Sequence, residues 1–311
     1  MRREKVNTQT PRRAPGRDGR LATMLIGLLL SGIAHASAAP RCPPWQSFAR
    51  PGIFWSIQGP HGDPHSHLLG TMHLDWADVL SVVPAVEPIL RKASVFVMET
   101  LLTHHAIAIL HRAMLLPAGG SLKSLIGPEL YARAQNEYKR RGWSIAALAD
   151  EQPWALLVTL SVPPMRHPVL DEVLAQHARR WDIPVIGLES TDEQIDALST
   201  LPLAIQRSLL REALAHPDGR ALRALERQYR AQSLSGLVHA ANERDAHHPR
   251  TNRIFFRRLL HDRNRRMIAR LLPILGHRRA FVAVGALHLP GFLSRLDKAG
   301  YCARPITLRE P

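Results

Sequence analysis

Residues 280–288 read AFVAVGALH, and residues 66–73 read SHLLGTMH. In both, a short apolar run breaks at a glycine, and a histidine follows three residues later. Runs of about four to eight apolar residues bounded by turn signals are what strands buried on both faces look like, so these stretches place a parallel-sheet core in the protein. Six strand candidates share this make-up: GIFWSIQ (52–58), HSHLLGTM (65–72), SVFVMET (94–100), IPVIGLES (183–190), AFVAVGAL (280–287) and YCARPITL (301–308). The turn-rich GPHGDP (59–64) joins the first two as a hairpin.

Helical patterns fill the intervals. VVPAVEPILRKA precedes SVFVMET, VLDEVLAQHARRWD precedes IPVIGLES, and FFRRLLHDRNRRMIARLLPIL precedes AFVAVGAL. Strand, helix and strand within about 35 residues make a βαβ unit, and repetition of that pattern predicts an α/β fold with a mostly parallel central sheet. The segments from Thr103 to Pro168 and from Ser199 to His248 hold no strand pattern, and we read them as helical insertions covering the sheet.

The first segment is set apart. A basic stretch from Met1 to Arg20 precedes LATMLIGLLLSGIA, a charge-free run of about 14 residues, short of the roughly 20 that span a bilayer. HASAAP follows, with small-x-small patterns suited to cleavage. Residues 1–38 are therefore expected to be a secretory signal peptide and residues 39–311 a single domain, exported to the periplasm. The alternative is an uncleaved anchor in the inner membrane. Export would let the two cysteines, Cys42 and Cys302, form a disulfide.

The formal charge is +15; residues 1–39 hold seven Lys/Arg and two Asp/Glu, so the remainder carries +10. Much of the excess lies between Arg250 and Arg279. That stretch lacks interleaved aromatics and any zinc-finger, RRM or KH pattern, so no nucleic-acid partner is expected. A solvated helix face, or peripheral contact with an anionic envelope surface, fits it better.

In open α/β sheets, ligands bind beyond the carboxyl ends of the strands. Four of the candidate strands end as GTMH, VMET, GLES and GALH, delivering His73, Glu99, Glu189 and His288. Each residue alone has an ordinary reading as a loop hydrogen-bonder or a helix cap; four together point to one crevice. Two imidazoles with carboxylates can hold a divalent transition metal, and without metal a histidine can serve as general base beside a carboxylate. Gly70 and Gly285 would let the chain turn or let substrate approach the backbone. Within the last long helix, Phe256, Leu260, Asn264, Met267 and Leu271 share one stripe. Asn264 there is either a satisfied buried amide or, with Arg263, a substrate-binding residue.

HExxH, GxSxG, a P-loop and GxGxxG are absent from the sequence. The remaining histidine clusters, HGDPHSH (61–67), His104-His105 and His247-His248, read as solvated surface.

The paired G-x-x-H motifs with a glutamate after a core strand resemble the TraB/GumN family, which includes PrgY-like proteins and the Tiki metalloproteases. LLGTMHLDW, VFVMET, PVIGLESTDEQIDAL, RNRRM and FVAVGALHLPGFLSRLDKAGY match family blocks in order, over roughly residues 52–305. The resemblance implies a fold related to the erythromycin-esterase-like and ChaN-like proteins. It also implies that His73, Glu99 and His288 are catalytic and metal-binding, with Glu189, Arg263 and Asn264 in support. Tiki members imply metal-dependent proteolysis with manganese or cobalt; manganese, cobalt or zinc is the cofactor expected here. The function expected is hydrolysis of a peptide or amide bond, on a peptide or small envelope-derived substrate, with the ion held by His73 and His288 and one carboxylate of Glu99 and Glu189, while the other glutamate activates water. The alternatives are a binding protein that sequesters such a ligand without turnover, and a metal-free esterase with a histidine base.

Overall fold

Both faces of the central strands are buried, which is why their sequences are continuous apolar runs and not alternating ones. In the computed structural model, which describes residues 42–60, 62–217, 219–243 and 249–308, all six expected strands form one sheet. They are β1 (Phe54–Gln58), β2 (Ser66–Thr71), β3 (Val95–Met98), β4 (Val185–Gly187), β5 (Ala280–Gly285) and β6 (Cys302–Pro305). Their order across the sheet is β4-β3-β5-β2-β1-β6. The four strands from β4 to β2 run parallel, and β1 pairs antiparallel with both β2 and β6. Every residue of β3 is buried, as is β5 through Val284. The expected hairpin is present as β1 and β2.

One neighbour relation differs from the sequence reading. β2, the helix Val83–Leu90 and β3 follow one another as predicted, but β2 and β3 are not adjacent: β5 enters between them and pairs with each. Local pattern cannot reveal a strand that arrives about 180 residues later. Its consequence is register: Thr71 lies opposite Gly285, and Met98 opposite Ala283, so three strand ends meet side by side.

The helix Leu170–Arg180 buries Leu170, Leu174, Ala175 and Ala178, with acidic residues in its first turn and basic ones in its last, complementing its dipole. Ser190 caps the helix Thr191–Ser199 in a reciprocal capping box with Glu193. The segment from 103 to 168 is made of helices and loops, with an isolated bridge between Leu115 and Glu151. It does more than cover the sheet. Leu122, Ile126, Leu130, Leu148 and Leu156 meet Leu210 and Leu214 of the second helical segment in an apolar cluster of their own.

Cys42 and Cys302 form a disulfide that fastens β6 to the segment before Trp45. Closing so long a loop contributes up to about 5 kcal/mol in a chain-entropy model. Among the described residues, no helix is long and apolar enough to cross a membrane. The expected signal peptide, residues 1–38, and His247-His248 lie outside the described residues. His104 and His105 are exposed at a helix start. His67 corrects the surface reading: it belongs to β2, stacks on Phe54 at 5.6 Å, and is lowered to about 4 by burial together with His65 and Arg279.

Candidate active site

The sheet delivers its ionisable residues within three positions of the strand ends. Glu99 directly follows β3, His73 is two residues beyond β2, and His288 ends the short 3-10 turn Ala286–His288 after β5. These three line a cavity of about 270 Å³ together with Thr71, Gly285 and Arg263; Met72, Leu225, Tyr229, Leu237, Leu259, Leu260 and Leu287 make its apolar wall.

Each imidazole is held by its Nδ1. The His73 Nδ1 pairs with Asp171 Oδ2 at 2.8 Å, and the other carboxylate oxygen accepts from Thr71 Oγ1 at 2.6 Å. Asp171 is buried in the first turn of the helix Leu170–Arg180. Its charge raises the His73 imidazole to about 9, with burial opposing and Glu99 adding to the rise. Because 55% of the His73 side-chain surface is open, water screens part of that effect.

His288 is the reverse case. Its Nδ1 lies 2.6 Å from Asn264 Oδ1, a neutral acceptor, so Nδ1 carries the proton and Nε2 a lone pair. Burial lowers it to about 4, with Arg263 and His73 lowering it further and Glu99 opposing.

Glu99 sits between these rings. Its Oε1 accepts from the Gly285 N–H at 2.6 Å and lies 3.6 Å from His288 Nε2, while Oε2 accepts from Arg263 Nη2 at 2.5 Å. Burial pushes its carboxyl up, but His288, Arg263 and His73 outweigh that and hold it well below the usual carboxylate range. Glu99 is an anion at neutral pH.

The other sequence-derived residues stand behind this shell. Glu189 does not line the cavity: its side chain is fully buried, Oε2 accepts from Arg263 Nε at 2.7 Å and Oε1 from Arg266 Nη2 at 2.9 Å. Arg263 therefore bridges two buried carboxylates, one facing the cavity and one not. Asn264 also faces away from substrate space, with Nδ2 donating to the His288 carbonyl at 3.4 Å as well as holding its ring. Its place in the apolar stripe is explained by that pair of bonds. Gly70 serves packing, since a Cβ there would fall 2.6 Å from Leu289 Cδ1 and 2.9 Å from Ala286 Cα.

Gly285 is different. Its φ of −51° and ψ of 135° suit any residue, so the constraint is space. A Cβ would lie 3.2 Å from Glu99 Oε1 and 3.6 Å from both His288 Cδ2 and His73 Nε2. The glycine keeps open the small volume that the three side chains border.

Two residues escaped the sequence reading. Asp171 looks like any acid in a first helical turn, and only the fold brings it to His73. Tyr229, on the helix Arg220–Arg230, lines the cavity and donates to the Gly70 carbonyl at 3.0 Å. No spacing signal ties it to the strand ends.

The donor chemistry suits a divalent cation: two imidazoles whose Nδ1 atoms are already committed, and one carboxylate. Among the described residues, no three His, Cys, Asp or Glu side chains are spaced to close around an ion as they stand, with Glu99 turned to Gly285 and Arg263.

A mixed, mostly parallel sheet with histidine and glutamate at adjacent strand ends defines an α/β protein with a histidine–carboxylate cavity. The chain belongs to the TraB/PrgY/gumN family, whose model matches residues 53–305. It is 29% identical over 301 residues to Metalloprotease TIKI1 of Danio rerio, covering 79% of this chain and 60% of that protein. It is 24% identical over 319 residues to Metalloprotease TIKI2 of the same fish, covering 83% and 62%. The chain thus spans about 60% of the length of the curated relatives it matches.

Proposed function

We propose that this protein is a metal-dependent hydrolase that cleaves a peptide or amide bond in the cavity at His73, Glu99 and His288. The observation that carries the reading is the pair of imidazoles with anchored Nδ1 atoms, bordering with Glu99 a space that Gly285 leaves empty. The likeness to two metalloproteases adds support.

His73, His288 and Glu99 would hold the ion, manganese, cobalt or zinc. When bound, such an ion polarises the scissile carbonyl and acidifies a water. Hydrolysis then forms a bond from the water oxygen to the carbonyl carbon, breaks the C–N bond and leaves a proton on the departing amine. Asp171 and Asn264 keep the two rings oriented. Arg263 balances the charge of Glu99, and its Nη1, with only a 3.5 Å contact to the Leu259 carbonyl, can donate to the substrate carbonyl oxygen. Glu189, consumed by Arg263 and Arg266, anchors that arginine and does not activate water. Burial strengthens the contacts of His288 and Glu99, 5% and 6% open, while His73 stays open to water.

The Asp171–His73 pair also supports a second reading, in which His73 acts as a metal-free base: Nε2 takes the proton from water and passes it to the leaving group. Asp171 raises that ring to about 9, so such a base would gain activity towards alkaline pH, whereas a cation held at His73 would take the ring in its neutral form. The disulfide supports an oxidising compartment, with residues 1–38 as leader and 39–311 as the catalytic domain.

The test is metal analysis of the purified protein after exposure to each ion, with mass-spectrometric mapping of a peptide library cleaved with and without chelator. Stoichiometric metal and chelator-sensitive cleavage are expected. No bound metal, together with full activity in His73→Ala, would overturn the reading; cleavage that resists chelator and rises towards pH 9 would select the metal-free base. Peptide bound without products would mark a sequestering protein.

A further inference from the structure

A second cavity, of about 250 Å³, adjoins the first. Leu225, Leu259 and Leu287 line both. Leu287 is the residue before His288, and Leu259 lies in the π-helical turn Arg257–Asp262 that ends next to Arg263, so the shared wall is covalently tied to the site itself. The wider π turn puts the consecutive residues Leu259 and Leu260 on the cavity side. One turn earlier, Phe255 and Phe256 line the second cavity with half-buried rings, their centroids 5.4 Å apart.

Charge decides what this annex accepts. Although the chain carries a formal +15, among the described residues no Lys or Arg lines this cavity, and the one charged lining residue is Glu212. An acidic substituent meets Glu212 and, among the described residues, no cation, only the neutral polar groups of Ser161 and Asn252, whereas an apolar one finds two aromatic rings and leucines. Each cavity alone is below the roughly 300–1,000 Å³ of a complete small-molecule pocket, and the two together reach that size, so this annex suits one side chain of a ligand that occupies both.

We propose that this cavity is the subsite for a bulky apolar side chain, aromatic or branched aliphatic, on the residue flanking the bond held at His73, Glu99 and His288. The placement beside a scissile bond rests on the hydrolase reading; the binding preference does not.

Binding of blocked single-residue amides to the full chain is measured by NMR titration, using N-acetyl amides of phenylalanine, leucine, glycine and aspartate. The phenylalanine and leucine amides are expected to bind about tenfold or more tightly than the glycine amide, the discrimination typical of an apolar pocket. Ala213, on the helix Leu203–Ala215, lines the cavity, and Ala213→Leu fills it; the preference should vanish in a variant whose far-ultraviolet spectrum is unchanged. Should that variant not fold, Phe256→Ser tests the same wall from a half-exposed position. Equal binding of all four amides, or a preference that survives in a folded variant, overturns the proposal. Apolar preference without turnover of any peptide refutes the hydrolase reading and leaves the subsite standing; turnover without apolar preference does the opposite.

Discussion

His73 stands beyond β2 with 55% of its side-chain surface open and an ionised carboxylate on Nδ1; His288 stands beyond neighbouring β5 with 5% open and a neutral amide on the same atom. One is raised to about 9 and the other lowered to about 4. The same G-x-x-H motif thus ends in two different chemical species at neutral pH, a protonated ring that must release its proton to bind a cation and a neutral ring that is ready to. Environment sets the role, since both rings begin from the same ordinary value.

The comparison breaks most completely if either ring is removed. His73→Ala and His288→Ala should each lower hydrolysis by about 10²–10⁴-fold, measured as kcat/KM on a cleaved peptide. Equal losses fit two ligands of one ion; a loss at His73 with chelator-resistant activity fits a base at His73 alone.

Next in size is the charge between the rings. Arg263→Met leaves Glu99 and Glu189 buried without their bridging partner, and urea unfolding should show a loss of about 3–5 kcal/mol. A loss under about 1 kcal/mol would mean that the carboxylates become protonated or hydrated at little cost, and that Arg263 does not set the charge of the site.

Gly285→Ala probes the space the rings share. The backbone tolerates alanine, so stability should change by less than about 1 kcal/mol while activity falls about tenfold or more, because the new methyl occupies the volume beside Glu99 Oε1. Unchanged activity would show that nothing needs that volume.

The smallest effect is the sharpest test of the difference between the histidines. For His73 the folded value lies above the ordinary 6.5, so its contribution to stability is full below pH 6.5 and is lost as pH rises through about 9. For His288 the folded value lies below 6.5, so its contribution is present above pH 6.5 and is lost as pH falls towards about 4. Stability of the metal-free protein should therefore slope in opposite directions on either side of pH 6.5. The alkaline limb should be about 1 kcal/mol or less, given the exposure of His73. Asp171→Asn should flatten that limb and bring the His73 titration, followed by NMR, back towards its ordinary value, while the acid limb persists. An unmoved His73 titration would remove Asp171 from its positioning role.

Much of the fold was legible because burial on both faces leaves a local trace. The six strands lie where continuous apolar or β-branched runs place them, each shorter by two to five residues than its sequence window. The site was legible at its strand ends for a similar reason: His73, Glu99 and His288 are the first ionisable residues after apolar runs. Asn264 was visible as a polar break in an apolar stripe. Asp171 was not visible, because an acid at a helix start has a sufficient local explanation in the helix dipole. Glu189 looked equivalent to Glu99, since each follows an apolar strand, and it took side-chain packing against Arg263 and Arg266 to separate them.

Local periodicity and composition were enough to place the strands, the α/β class, the two G-x-x-H endings and the pair of cysteines able to bond. The entry of β5 between β2 and β3 is a long-range event that no local pattern records. That placement brings Gly285 opposite Thr71, sets Glu99 against the Gly285 N–H, and gives His73 a carboxylate but His288 an amide. The physical reason is range: periodicity records which face of an element is buried, whereas the partner that fixes an imidazole's charge comes from elsewhere in the chain, 98 residues away for His73 and 24 for His288.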